Sequence, residues 1–238
     1  MVGLSNDTFF LSGSMKSIPD KYKEEYTRRL GNFYNYSVRE NDAEKIIGDL
    51  IGCKATVDLD PTLLINDSEW FETINIKNVR LNIKKMNRYL LLYTISESID
   101  IISLAKRISK KLGLDVYYIN DRWKKSRKCC NLSHINIDEW LYLMRNADFI
   151  LTDSFHGTAF SVNFQKNFFS YQYKNNSKNS RITTLLENVG LSHRIISNET
   201  TDIDLENIGF SVDYPESANL LNTLRTKSIN NLKEIING

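Results

Sequence analysis

The chain has 238 residues, 41% hydrophobic and 25% charged, which is enough for one large domain or two small ones. Its 31 Lys+Arg against 29 Asp+Glu give a formal net charge of +2, so charge alone requires neither nucleic acid nor an anionic membrane as partner. No apolar run approaches the roughly 20 residues needed to cross a bilayer, and Met1 to Asp7 lack the charged and apolar regions of a secretion signal. The three cysteines do not suit a disulfide framework, since Cys129 and Cys130 are adjacent and Cys53 stands alone. A cytoplasmic location is expected.

Tyr22 to Leu30 reads as a helix and Asn35-Tyr36-Ser37-Val38-Arg39 as a strand. Ala43 to Ile51 follows as a helix ended by Gly52, and Thr56 to Leu59 as a strand stopped by Asp60-Pro61. This βαβ piece is too small to be a stable sheet by itself. Residues 1–70 are therefore expected to be the remnant of a second α/β domain, with polar residues 71–88 as the linker.

From residue 89 the pattern alternates. Tyr89-Leu90-Leu91-Leu92-Tyr93 is a continuous apolar run of the kind buried on both faces of a parallel sheet. After a polar break at 94–98, Ile101, Leu104, Ala105, Ile108 and Leu112 fall at helical spacing, with Lys110, Lys111 and Gly113 closing the helix. Asp115 to Ile119 is a second strand. The basic run Arg122 to Lys128 reads as a solvated loop, with contact to a membrane surface or polyanion as its functional alternative. Ile137, Trp140, Leu141 and Met144 mark a helix, Phe149 to Thr152 a third strand, Gly157 to Asn163 a helix and Phe168 to Tyr171 a fourth strand. Ile182, Leu185, Leu186 and Val189 give a further helix ended by Gly190, and residues 215–238 a long closing helix. The fold class is α/β: a parallel sheet with flanking helices over 89–214, plus the partial domain before it.

Ligands of open parallel sheets bind beyond the carboxyl ends of the strands, where Asp153-Ser154-Phe155-His156 falls. A helix starting near Gly157 would aim free N–H groups and its positive dipole end into the same space, which suits a phosphate or carboxylate. Ser154 and Thr158 would add hydroxyl donors, Gly157 would allow close backbone approach, and His156 can donate to an anion or move a proton near neutral pH. Asp153 either orients His156 or caps the helix. His134 and His193 suit solvated or capping roles. No metal-ligand spacing, nucleophile elbow, dinucleotide fingerprint or Walker loop is present.

The segment from Trp140 to Thr158, with its Thr152-Asp153-Ser154-Phe155-His156-Gly157-Thr158 core, closely resembles the polysaccharide pyruvyl transferase family. Ser37-Val38-Arg39-Glu40, Leu59-Asp60-Pro61-Thr62-Leu63-Leu64 and Ser180-Arg181 with Leu185-Leu186 and Gly190-Leu191 are similar to further family segments in the same order. The resemblance implies two Rossmann-like domains facing across a cleft, as in GT-B glycosyltransferases. It also implies transfer of pyruvate from phosphoenolpyruvate to sugar hydroxyls of a cell-surface glycan, with no further cofactor. His156 matches the family's proposed catalytic histidine, Arg39 a donor-binding arginine, and Lys174, more loosely, a lysine of the site. Some members carry Arg where this chain has Ser154.

The Ser-Val-Arg segment starts at residue 37, earlier than in the family, so much of the first domain is expected to be missing. Arg39 and Arg181 are assigned to the donor's phosphate and carboxylate through bidentate contacts, helped by Ser154, Gly157, Thr158 and Lys174. An ion pair with Glu40 or Glu44 is the structural role open to Arg39, and a solvated first-turn position the one open to Arg181. The expected partners are phosphoenolpyruvate and a glycan or lipid-linked sugar acceptor, not nucleic acid. A peripheral contact with the inner face of the membrane and a partner supplying the missing domain stay open. So do two other readings, a GT-B-type glycosyltransferase using a nucleotide sugar and a truncated, non-catalytic domain that binds an anion or a partner.

Overall fold

The computed structural model describes residues 2–4, 8–11, 18–96, 98–120, 129–173 and 179–237. The basic run at 122–128 lies outside these residues. In chain order, β1 (Val2–Leu4), β2 (Thr8–Leu11), α1 (Lys23–Leu30), β3 (Asn35–Val38), α2 (Asn41–Ile51) and β4 (Thr56–Val57) come first. Two short helices, α3 (Asp67–Thr73) and α4 (Leu81–Lys84), lead to β5 (Tyr89–Tyr93), α5 (Ile99–Leu112), β6 (Asp115–Ile119) and β7 (Cys130–Leu132). Then come α6 (Ile137–Asn146), β8 (Phe149–Thr152), α7 (Phe155–Asn163), β9 (Phe168–Tyr171) and α8 (Asn179–Asn188). The chain closes with β10 (Ile195–Ile196), α9 (Asp202–Ile208) and α10 (Pro215–Asn237).

Two compact units result. The first comprises Met1–Leu64, Ser177–Gly190 and Glu216–Gly238, the second Ile65–Asn176 and Leu191–Pro215. These units are cut differently from the contiguous partition that the sequence suggests. The stretch 71–88 belongs to the second unit, where Val79 and Ile83 are buried and Arg80 forks onto Glu139 of α6 through Nε at 2.6 Å and Nη2 at 3.0 Å. Residues past 215 belong to the first, through the bonds α10 makes to the loop after β4.

In the first unit the sheet order is β1-β2-β3-β4, antiparallel between β1 and β2 and parallel thereafter. The two N-terminal strands carry the sheet beyond the βαβ piece legible in the sequence. Leu30, Tyr36, Val38, Ala43, Ile47 and Ala55 form its core, placing the apolar stripe of α2 on β3. Gly52 ends α2 with φ of 67°, a backbone that glycine adopts without penalty.

The second unit holds a six-stranded sheet of order β10-β9-β8-β5-β6-β7, with every pairing parallel. The central strands are continuous apolar runs because both faces are covered, and Leu90, Leu91 and Leu92 have no exposure. Alternation divides them. Leu90, Leu92, Phe149, Leu151, Phe169 and Tyr171 share one face, packed with Ile101, Leu104, Ala105 and Ile108 of α5. Each such Leu or Ile contributes about 1.5–3 kcal/mol by leaving water.

Candidate functional site

β5 and β8 lie side by side at the middle of this sheet. From β5 the chain runs through α5 to β6 and β7 on one side, and from β8 through α7 to β9 and β10 on the other. The direction of winding reverses between them, so their carboxyl ends flank a topological switch point, where α/β sheets hold ligands. Tyr93 and Thr152 pair across that edge, and the segments 94–96 and 153–154 leave from it.

Behind β8, α7 starts two residues earlier than its sequence suggests. The Ser154 Oγ accepts from the Gly157 N–H at 3.4 Å and so caps the helix. Ser154 is 1% exposed and also bonds the Tyr93 phenol, whose pKa burial pushes up and this bond pulls back. Thr158 is wholly buried, its Oγ1 donating to the Ser154 carbonyl at 3.1 Å and meeting Ser170 Oγ at 2.6 Å. The hydroxyls of Ser154 and Thr158, expected to serve an anion, are thus built into the cap and the helix–strand contact. Gly157 also differs from expectation. The backbone it brings close is β8's, because a Cβ there would lie 2.2 Å from Thr152 Oγ1. Every residue of α7 is buried except His156, which is exposed and packed edge-on against Phe155 with ring centroids 5.6 Å apart. An apolar helix driven into the core therefore surfaces at one position, in its first turn, and that position carries an imidazole.

Asp153 takes neither role expected of it. Its carboxylate accepts from Thr94 Oγ1 at 2.8 Å, Ile95 N at 2.7 Å, Ser96 N at 3.1 Å and from Ser96 Oγ. Ser96 Oγ also meets Tyr173 Oη beyond β9. Burial raises the pKa of Tyr173, and the hydroxyls of Ser96 and Ser98 counter it. Sequence reasoning missed Thr94, Ser96 and Tyr173. The hydroxyl-rich break after β5 was the available signal.

The first unit gathers a second cluster. Arg39 follows β3, and its Nη1 donates to Asp60 Oδ2 at 2.6 Å, while Asp60 Oδ1 accepts from Thr62 N at 3.1 Å and Thr62 Oγ1 at 2.9 Å. Asp60 is 4% exposed; burial would raise its pKa, but Arg39 and Thr62 hold it below the ordinary value. The partner of Arg39 is therefore Asp60, not Glu40 or Glu44. Arg181 in the first turn of α8 is half-buried, not solvated, with Nε 3.9 Å from buried Glu40. Burial, then the charge of Arg39, lowers its pKa against Glu40 and Asp60. Two guanidinium groups thus sit within electrostatic reach of each other, and Arg39 Nε is buried with no hydrogen-bond partner among the described residues. Such a pair can fork onto an anion.

The structure so brings Arg39 to Arg181 in the first unit, and Ser154, His156, Gly157 and Thr158 together in the second. Lys174 lies outside the described residues. Among the described residues no group of three or more His, Cys, Asp or Glu could hold a metal ion, and no helix is long and apolar enough to cross a membrane.

Comparison with solved structures returns weak likenesses. The UDP-GlcNAc 2-epimerase from Neisseria meningitidis bound to UDP-GlcNAc is similar at a TM-score of 0.49 and 12% identity, over 87% of this chain and 56% of that one. The wall teichoic acid polymerase TagF is similar at 0.46 and 12% identity, over 98% of this chain and 64% of that one. The chain therefore spans less than two thirds of the length of either. Comparison with curated protein sequences returns no match. The family model for polysaccharide pyruvyl transferases, in contrast, matches residues 3–175, a span that includes Arg39, Asp153 and His156. The chain belongs to the polysaccharide pyruvyl transferase family.

Proposed function

We propose that this chain transfers pyruvate from phosphoenolpyruvate to sugar hydroxyls of a polysaccharide or lipid-linked glycan, closing a cyclic ketal and releasing phosphate. The observation that carries the reading is the lone exposed residue of α7, His156, in the first turn of a helix at the switch point. The family match supports it.

Phosphoenolpyruvate carries a phosphate and a carboxylate, and the helix N-terminus and the Arg39–Arg181 pair suit such anions. A proton added to C3 of the enol leaves C2 electron-poor, and a sugar hydroxyl adds there and loses its proton. The C2–O bond to phosphate then breaks with its electron pair, phosphate departs, and a second hydroxyl closes the ketal. His156 is the general acid/base, a role worth about 10²–10⁴-fold in rate.

The test is phosphate release from phosphoenolpyruvate over a panel of acceptor glycans, with His156→Ala in parallel. We expect release with at least one acceptor and a loss of about 10²–10⁴-fold in the variant. Calorimetric titration should show binding of phosphoenolpyruvate and none of UDP-sugars. Release unchanged by His156→Ala, or binding of the UDP-sugar alone, would overturn the assignment.

A further inference from the structure

The switch point holds an anion already. Ile95 and Ser96 present two successive N–H groups after β5, with the hydroxyls of Thr94 and Ser96 beside them. Successive amides of this kind form a concavity for a negative group. The group that fills it is the chain's own Asp153, held by all four of those donors. Oδ2 accepts three of these bonds and Oδ1 one, and among the described residues neither oxygen bonds the imidazole of His156 or caps α7, whose cap is Ser154. Tyr173, meeting Ser96 Oγ, ties the end of β9 into the same network.

We propose that Asp153 is a positioning residue whose carboxylate occupies the anion seat of the β5–α5 loop, pins that loop to the end of β8 and leaves the first turn of α7, with His156, as the place for the substrate's anion. The three strand ends β5, β8 and β9 are then locked through one charged group that touches no substrate. The proposal rests on the catalytic reading of His156 for its kinetic consequence, but not for its structural one.

Asp153→Ala tests it, with amide hydrogen exchange at Ile95 and Ser96 as the structural readout and phosphate release as the kinetic one. Emptying the seat should speed exchange at both amides by about tenfold or more, since hydrogen bonds to a charged group are lost. Formate at tens of millimolar should refill the seat, slow exchange again and restore turnover in parallel, whereas chloride at equal ionic strength should do neither. The kinetic defect should fall on kcat more than on KM. Asp153→Asn, nearly isosteric, serves if the alanine variant does not fold: its one carbonyl oxygen should keep one amide protected and release the other. Exchange unchanged at both amides, or acceleration that formate leaves untouched, overturns the proposal. A wild-type protein that releases no phosphate, with the exchange results as expected, instead sinks the transferase reading and leaves the role of Asp153 standing.

Discussion

A methyl group at position 157 would stand 2.2 Å from Thr152 Oγ1 and 2.9 Å from Thr152 Cβ, both inside any real contact distance. Either β8 or the first turn of α7 must then move, and overpacking of this kind costs about 1–3 kcal/mol. Gly157→Ala should lower the urea midpoint accordingly, and it should depress phosphate release too, because the displaced turn carries His156. An unchanged midpoint would mean that Thr152 yields freely. At this scale the sequence was half legible. A His-Gly pair after a buried strand marked the candidate site, yet Gly157 serves the fit of helix on strand. The work of Asp153 was hidden because its partners lie 57–59 residues away, on a loop that only the sheet order brings alongside. Ser154 and Thr158 looked like ligand donors for the same reason, since their internal partners cannot be seen before α7 is placed.

The elements themselves were easier to read where burial is complete. β5, β8 and β9 coincide with their apolar runs, because a strand covered on both faces has no polar register to confuse the pattern. β7, β10 and α9 escaped notice. Strands of three and two residues hold too few side chains to show a period, and pairing with a neighbour already in place is what makes them strands. The end of α7 also has a property that sequence conceals. Gln165 follows the helix at φ of 50°, exposed, with its N–H on Val162 O at 3.1 Å and the next N–H on Ser161 O at 2.8 Å. A left-handed residue with a Cβ costs about 1–2 kcal/mol, partly offset by the entropy a glycine loses there. Gln165→Gly should therefore stabilise the protein by about 0.5–1 kcal/mol, read as a higher denaturant midpoint, and leave the site untouched. A lower midpoint would show that the glutamine side chain contributes more than its backbone costs.

Across the whole molecule, acid should weaken the anchorage of the 71–88 stretch. Burial would raise the pKa of Glu139, but the side chain and backbone of Arg80 and the backbone of Asn136 hold it below the ordinary 4.5. A depressed carboxyl contributes stability above its unfolded value and loses it as pH falls through the folded one. The stability gap between wild type and Glu139→Gln, about 1–3 kcal/mol at pH 7, should persist down to about pH 4.5 and close below it. A gap constant to pH 3 would contradict the charge-based account. The first unit has a different dependence, on order of synthesis. Leu59 N donates to Ser228 Oγ, Asn231 Nδ2 to Asp58 Oδ2 and Arg225 Nε to Leu63 O, across 162–173 residues of chain. A ribosome adding about 5–20 residues per second needs on the order of ten seconds or more to cover that distance. Throughout that interval the nascent β3–β4 layer has no α10 to meet, and residues 65–176 are made within it. The sheet stays unfinished for that time, a state in which exposed apolar surface favours aggregation.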